Sequence, residues 1–245
     1  MKKIIAMILC VVTVLAFCSC AKKDNDEKSE GVMTYAEYMA AKEDTQVVIE
    51  AYVQAKQSWW DEKATVYLQD KDGAYFAYNM ACSQADYDKL TPGTKIKVTG
   101  TKSSWSGEIE IVDATFEIET GKTFIAKAAD LTSIFGDETA LLAHQNEFVA
   151  FKGLTVEAST DAEGNEAAFL YKWNGTGSEG DDLYFKVSLN GVSYNFTVES
   201  YLCGKDTDVY KAVQALKVGD KIDVEGFLYW YEGVNPHITG VAASK

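Results

Sequence analysis

Arginine is missing from this chain: all 23 basic residues are lysines, and 37 aspartates and glutamates outnumber them. The formal net charge is therefore −14. Affinity for nucleic acid depends largely on lysine and arginine contacts with phosphates, and arginine is the better bidentate phosphate ligand. The composition therefore disfavours a nucleic-acid partner and favours a neutral or cationic one.

Histidine and proline are also scarce, with two of each in 245 residues. His144 and His237 share no motif, there is no G-x-S-x-G sequence, and no cysteine–histidine cluster could bind zinc. The G-x-G-x-x-G at 175–180 precedes a predicted strand, whereas a dinucleotide site requires a helix there. The acidic turns at 70–73 and 161–166 lack the remaining ligands of a calcium loop. The sequence predicts no enzyme, no cofactor and no metal site.

Cysteine is concentrated near the N-terminus. An apolar run from Ile4 to Phe17 follows a charged start and is shorter than the roughly 20 residues that span a bilayer. It ends at Ser19–Cys20 and turns abruptly polar, which resembles a bacterial lipoprotein signal. The resemblance implies a signal peptide over 1–19, a lipid on Cys20 that anchors the protein to a membrane, and a flexible tether over 20–32. Ordinary secretion without a lipid is the alternative.

Two cysteines, Cys82 and Cys203, lie beyond that segment and 121 positions apart. A disulfide is allowed outside the cytosol. Isolated cysteines are more often small buried apolar residues, and spacing alone does not establish the geometry of a bridge. The sequence favours two buried thiols, with a Cys82–Cys203 disulfide as the alternative.

A duplicated segment is the most informative feature. Residues 90–100 (LTPGTKIKVTG) and 216–226 (LKVGDKIDVEG) share Leu, Gly, Lys, Ile, Val and Gly at a constant offset of 126, and the register continues without a gap. Two copies of about 90 to 120 residues each indicate two similar domains rather than a solenoid of short repeats. We therefore predict module 1 over 33–120 and module 2 over 121–245.

Alternating polar and apolar residues, separated by turn signals, predict the strands of both modules. In module 1 they are expected near 46–56, 64–69, 74–79, 95–101 and 108–117, with helices near 34–42 and 83–90. In module 2 they are expected near 147–158, 167–173, 182–189, 193–199, 221–230 and 237–242, with helices near 138–147 and 207–216. A helix between the third and fourth of five strands fits an OB-fold barrel. The predicted fold is mainly β, with two tandem five-stranded OB-like barrels.

Three segments of module 1 carry a resemblance to a known family: 48–53 (VIEAYV), 67–70 (YLQD) with 73–76 (GAYF), and 90–101 (LTPGTKIKVTGT). They resemble the OB-like modules of secreted bacterial nucleases of the YhcR type and of related lipoproteins. The resemblance covers 34–118 well and 124–243 more loosely, and it includes no catalytic residue. It implies an accessory module of a kind usually assigned to nucleic-acid binding by fold analogy.

Aromatic side chains near the predicted loops are the candidate ligand contacts. OB folds bind around strands two and three and the adjacent loops, and exposed aromatic rings stack on bases or sugars. Trp59 and Trp60 cannot both point inward in an extended segment, because neighbouring residues face opposite sides. The alternative is that these rings close the barrel ends. The candidate residues are Trp59, Trp60, Tyr67, Trp105, Trp230 and Tyr231.

The sequence therefore predicts a non-enzymatic, lipid-anchored protein of the cell envelope that binds its partner outside the cytoplasm. Its OB-fold faces are expected to bind an oligosaccharide, a peptide or an envelope protein. Capture of single-stranded nucleic acid is the alternative, motivated by the family resemblance and the loop tryptophans and disfavoured by the net charge. A purely structural role in the envelope also fits the sequence.

Overall fold

A computed structural model describes residues 28–244. The predicted signal peptide and Cys20 lie outside the described residues. Among the described residues, no helix has the length and apolar character needed to cross a membrane.

Module 1 is a closed barrel of five strands. The elements are α1 (Tyr35–Ala40), β1 (Gln46–Lys56), β2 (Lys63–Gln69), β3 (Ala74–Ala81), α2 (Gln84–Tyr87), β4 (Lys95–Trp105) and β5 (Glu108–Ile118). The strands pair in the order β1–β2–β3–β5–β4, and β4 returns to β1. The β3–β5 pair is parallel and short, while the other pairs are antiparallel.

Alternation along β4 shows why this segment closes a barrel. Ile96 and Val98 are wholly buried, whereas the lysines between and beside them remain partly exposed. Gly100 lies where the β4–β5 register shifts, and a Cβ there would be 2.8 Å from the carbonyl oxygen of Val112. A glycine is required at this position because the strand bends there and the partner backbone approaches closely.

Module 2 repeats the barrel with additional short elements. They are β6 (Ala129–Asp130), a 3₁₀ turn (Thr132–Ile134), α3 (Glu138–Leu142), β7 (Phe148–Glu157), β8 (Ser159–Thr160), β9 (Glu166–Ala167), β10 (Leu170–Tyr171), β11 (Leu183–Leu189), β12 (Val192–Val198), α4 (Asp208–Gln214), β13 (Lys221–Phe227) and β14 (His237–Ala243). Strands β7, β11, β12, β14 and β13 form the closed ring. The β12–β14 pair is parallel, as β3–β5 is in module 1. The prediction of two tandem OB-like barrels is confirmed.

The segment 158–182 joins the first two strands of the second barrel, and here the predicted strand at 167–173 is wrong. Its residues form only two-residue pairs: β8 pairs with β9, and β10 pairs with the first two residues of β11. The chain cannot continue as one strand because Lys172 has a φ of 63° and Gly175 a φ of 73°, both in the left-handed region. The result is a folded insertion beside the barrel.

The two modules pack directly on each other through an aromatic cluster. Tyr67 and Phe76 of module 1 meet Phe227 of module 2, and all three are buried. The Tyr67 and Phe227 rings stack with centroids 4.5 Å apart.

Away from this cluster, the cysteines Cys82 and Cys203 are both buried and unbridged, so the prediction of two buried thiols is confirmed.

The hairpin between β4 and β5 adds polar contacts to the same interface. The backbone N–H of Trp230 donates to Glu108 Oε2 at 2.9 Å, and Gln145 Nε2 donates to the Gly107 carbonyl at 2.9 Å. The Trp230 ring packs closely on Gly107: a Cβ added to Gly107 would be 2.8 Å from the Trp230 ring. Stacked rings and hydrogen bonds together hold the two barrels in a well-packed interface.

Candidate ligand-binding cleft

A cleft of about 970 Å³ opens between the two barrels. Module 1 contributes the β2–β3 face and the loop before it. Module 2 contributes the insertion, β11, β12 and the chain between β13 and β14. This volume lies in the range of small-molecule sites, and a domain interface is a common place for them.

Exposed aromatic side chains line the cleft from both sides. Trp60 of module 1 is 71% exposed, and Trp173 in the insertion is 69% exposed. Tyr78, Tyr201 and Tyr231 also line the cleft with much of their surface open to solvent. Large rings exposed together in a concave surface are typical of a binding site, whereas single exposed rings are common on any protein.

A tight turn places Trp60 in the cleft and turns Trp59 away from it. Trp60 forms a bridge to Lys63, and the intervening Asp61 and Glu62 both have positive φ values. The Trp59 indole N–H donates to the Cys82 carbonyl at 2.9 Å and is half-buried. The expectation that at least one of the two tryptophans is exposed is confirmed.

The opening of the cleft is fixed by contacts between the modules. The Ser58 N–H donates to the Tyr201 carbonyl at 2.7 Å, and the Ser58 hydroxyl donates to the same oxygen. At the floor, Phe76 packs edge-on against Tyr229, with centroids 5.4 Å apart. The cleft therefore has a preformed shape, which lowers the entropic cost of binding.

The floor of the cleft contains a buried histidine bonded across the interface. The Tyr67 hydroxyl and His237 Nδ1 lie 2.6 Å apart, and the His237 ring stacks on Tyr229 at a centroid distance of 4.1 Å. Burial lowers the pKa of His237 to about 3 and raises the pKa of Tyr67 well above its ordinary value. Both side chains are therefore neutral near pH 7.

The polar lining of the cleft is acidic. Lys63 is the one lysine among the described lining residues, and three acidic residues line the same cleft: Asp182, Glu199 and Glu232. Burial and the neighbouring Asp182 raise the pKa of Glu199 to about 7. The remaining polar groups are side-chain amides, hydroxyls, the imidazole of His237 and the indole N–H groups of Trp60 and Trp173. Such a lining suits a neutral or cationic ligand better than a polyanion.

The predicted contact residues fall into three groups. Trp60 and Tyr231 line the cleft. Trp105 is 60% exposed at the tip of the β4–β5 hairpin but does not line the cleft, and Trp59 is half-buried outside it. Trp230 is buried against Gly107, and Tyr67 is wholly buried between the barrels. Tyr67 therefore cannot touch a ligand directly, because the second barrel covers it.

Several aromatic lining residues were not predicted from the sequence. Trp173 ends the predicted strand at 167–173, and Tyr78 lies within the predicted strand at 74–79. Tyr201 follows the predicted strand at 193–199, and Tyr229 lies near the end of the predicted strand at 221–230. The available signal was the cluster of aromatic residues around the ends of β12 and β13, but only the packing of the modules brings these residues to one cleft.

No group of three or more histidine, cysteine, aspartate or glutamate side chains within residues 28–244 is arranged to hold a metal ion. The lining of the cleft consists of aromatic rings and hydrogen-bonding side chains.

Comparison with known proteins gives no family. No family model matches the chain, and no curated protein matches it. Among solved structures, an Ifi202 HINa domain in complex with 20-base-pair double-stranded DNA is 12% identical over 82% of this chain and all of that chain, with a TM-score of 0.38. A murine DNA-binding protein bound to double-stranded DNA is 9% identical over 81% of this chain and 96% of that chain, with a TM-score of 0.35.

A replication protein A heterotrimer bound to single-stranded DNA is 13% identical over 79% of this chain and 50% of that chain, with a TM-score of 0.28. At this level of similarity, the assignment of tandem OB-like barrels rests on the strand pairing itself. The class that the fold defines is a mainly β protein of two OB-like barrels with a cleft between them.

Proposed function

We propose that this chain is a non-enzymatic binding protein that holds a neutral oligosaccharide in the cleft between its two barrels. The observation that carries the proposal is the exposed aromatic lining supplied by both modules, with Trp60 on one side and Trp173 on the other. Aromatic faces stack on the apolar faces of sugar rings, and such stacking requires no charge on the ligand.

The polar lining supports the same ligand class. Gln57, Asn79, Asn195 and Asn235 bring side-chain amides to the cleft, and an amide carries both donors and an acceptor. The amide oxygens of Asn79 and Asn235 accept from neighbouring threonine hydroxyls, which fixes the orientation of these two side chains. Sugar hydroxyls also donate and accept, so they match amides and carboxylates. A small number of polar groups on an aromatic surface fixes the orientation of a ligand.

Single-stranded nucleic acid is the second candidate, because the same exposed rings would stack on bases. Proteins that bind single strands combine such rings with a positively charged groove that follows the backbone. Here Lys63 is the one lysine of the described lining, against three carboxylates. Phosphates in this cleft would be repelled, so the oligosaccharide is favoured.

Attachment to the cell envelope is the second part of the proposal. The apolar run and the abrupt polar change at Cys20 support a lipid on that residue, with an extracytoplasmic barrel pair beyond it. Labelling with a fatty-acid analogue tests the anchor. We expect label on the wild type and none on Cys20→Ala; equal label on both would show that Cys20 is not the attachment site.

Binding is tested by titrating intrinsic tryptophan fluorescence with neutral oligosaccharides and with single-stranded DNA at several salt concentrations. We expect a saturable change with one neutral oligosaccharide class that is insensitive to salt. Saturable binding of DNA that weakens steeply with salt would favour the second candidate instead.

Two single variants locate the site. Trp60→Ala removes a ring from the cleft, and Trp105→Ala removes a similarly exposed ring outside it. We expect Trp60→Ala to weaken oligosaccharide binding about tenfold and Trp105→Ala to leave it unchanged, since each stacking contact contributes roughly 1–3 kcal/mol when measured on bases. Equal affinities in the two variants would place the ligand elsewhere.

A further inference from the structure

His237 is the one histidine of the cleft, and its hydrogen bonding assigns its tautomer. Tyr67 is wholly buried, so its hydroxyl hydrogen needs an acceptor, and His237 Nδ1 lies 2.6 Å from the oxygen. If Nδ1 carried the hydrogen instead, the Tyr67 hydroxyl would be a buried donor without a partner, which is costly. Tyr67 therefore donates to Nδ1, and the hydrogen of the neutral ring lies on Nε2.

The second ring nitrogen of His237 faces the cleft. His237 is 8% exposed and lines the cleft. Its Nε2 has no hydrogen-bond partner within residues 28–244, yet it is not among their fully buried unpartnered atoms. The ring plane is fixed by the stacked Tyr229 and by the bond to Tyr67. An oriented N–H donor on a buried, neutral ring is therefore presented to the contents of the cleft.

We propose that His237 is the specificity-determining donor of the cleft, held by Tyr67 of the other barrel so that Nε2–H binds an acceptor oxygen of an uncharged ligand. The inference rests on the proposed function and specifies its ligand, which must place a hydroxyl, ring or carbonyl oxygen on the cleft floor. Sites that hydrogen-bond a ligand group discriminate strongly against analogues without it. The donor is correctly aimed only while the two barrels are docked.

Nitrogen-15 NMR of histidine tests the first step in the free protein. The chain has only two histidines, and the variant His144→Gln leaves His237 as the single signal. We expect a neutral His237 ring protonated at Nε2 near pH 7, and a loss of this fixed tautomer in Tyr67→Phe, which keeps the packed ring but removes the hydroxyl. A ring protonated at Nδ1, or a charged ring, would overturn the proposal.

Binding of an N-acetylglucosamine tetramer, a neutral probe rich in acceptor oxygens, tests the second step. We expect the tetramer to shift the His237 Nε2–H signal and to bind His237→Phe roughly tenfold more weakly, since that variant keeps a flat ring against Tyr229 but has no donor. Near-ultraviolet circular dichroism checks that the variant retains native packing.

The failures are distinguishable. If the tetramer binds but leaves the Nε2–H signal unmoved, or if it binds folded His237→Phe as tightly as the wild type, the role of His237 is overturned while the proposed function stands. If no neutral oligosaccharide binds, the proposed function fails, and the role of His237 fails with it.

Discussion

The two barrels share a strand order and differ in what joins their first two strands. In module 1, β1 and β2 are linked by the short turn 57–62, whereas in module 2, β7 and β11 are linked by the insertion 158–182. Both barrels close through a parallel pair, β3–β5 in one and β12–β14 in the other. The comparison shows that the repeated pattern determines the barrel, and that the unequal connections build the cleft.

The repeat places an equivalent glycine at the same bend in both barrels. Gly100 and Gly226 are related by the offset of 126, and both lie where the register of their hairpin shifts. The clearance differs: a Cβ at Gly100 would be 2.8 Å from the Val112 oxygen, whereas one at Gly226 would be 2.3 Å from the His237 oxygen. The bend of the second barrel therefore leaves less room for a side chain than the bend of the first.

The largest effect is expected from Gly226→Ala, because backbone atoms cannot make way for a methyl group at 2.3 Å. We expect a loss of about 3 kcal/mol or more in the free energy of unfolding measured with urea, and a smaller loss in Gly100→Ala. Gly204→Ala is the matched control, since its nearest atom is 3.6 Å away. A Gly226→Ala protein as stable as that control would contradict the described bend.

A second difference between the barrels lies at position 108. The offset of 126 relates Glu108 to Val234, and both are buried. Glu108 faces module 2, where its Oε1 and the side-chain oxygens of Gln145 and Asn146 have no partner among the described residues. Burial raises the pKa of Glu108 well above its ordinary value. The folded protein therefore holds a proton on Glu108 at a pH where the unfolded chain has released it.

This difference predicts a pH dependence. Because the folded pKa of Glu108 is raised, its contribution to stability is largest below about pH 4.5 and decreases as pH rises from there towards the folded pKa. We expect Glu108→Gln, which cannot ionise, to be more stable than the wild type by roughly 1–2 kcal/mol at pH 8, with little difference at pH 4. Urea unfolding at both pH values measures this, and a variant less stable at pH 8 would show that the carboxylate is needed.

The smallest effect is expected at the helix caps, which also differ between modules. Thr34 caps α1 in a capping box with Glu37, and Thr207 caps α4 through the Tyr210 N–H. We expect Thr34→Ala to lower the free energy of unfolding by about 1 kcal/mol. Thr207→Ala should lower it by a similar or smaller amount, because α4 is also held by the buried Val209 and Val213. Thermal unfolding of both variants measures the difference. If neither variant is less stable than the wild type, the caps do not stabilise these helices.

The strands of the barrels could be predicted from the sequence because the residues of each strand and of the adjacent turns specify it. The predicted and observed first strand coincide at Gln46–Lys56, β4 alternates partly exposed and buried residues, and the turn residues mark the hairpins. The insertion could not be predicted, because its strands are only two residues long: β8 and β9 pair with each other, and β10 pairs with the edge of β11. Trp173 was consequently missed, although it is among the most exposed rings of the cleft.

The packing between the modules was the other part that the sequence did not reveal. Alternate side chains of β2 enter the core of the first barrel, and Tyr67 lies on the opposite side of the strand. This is the face that OB folds use for ligands. In this chain the second barrel covers that face, and Phe227 stacks on the ring. The proposed binding surface is therefore the cleft between the two barrels rather than the face of one barrel. Only long-range packing could show this.

The most direct test of a cleft shared by both barrels is a double-mutant cycle on Trp60 and Trp173, measured by calorimetric titration with the oligosaccharide that the wild type binds. We predict that Trp60→Ala and Trp173→Ala each weaken binding about tenfold and that the double variant has no measurable affinity, because each barrel supplies one stacking surface. If Trp173→Ala binds as the wild type does, like the control Trp105→Ala, the ligand does not bridge the two barrels and the cleft is not its site.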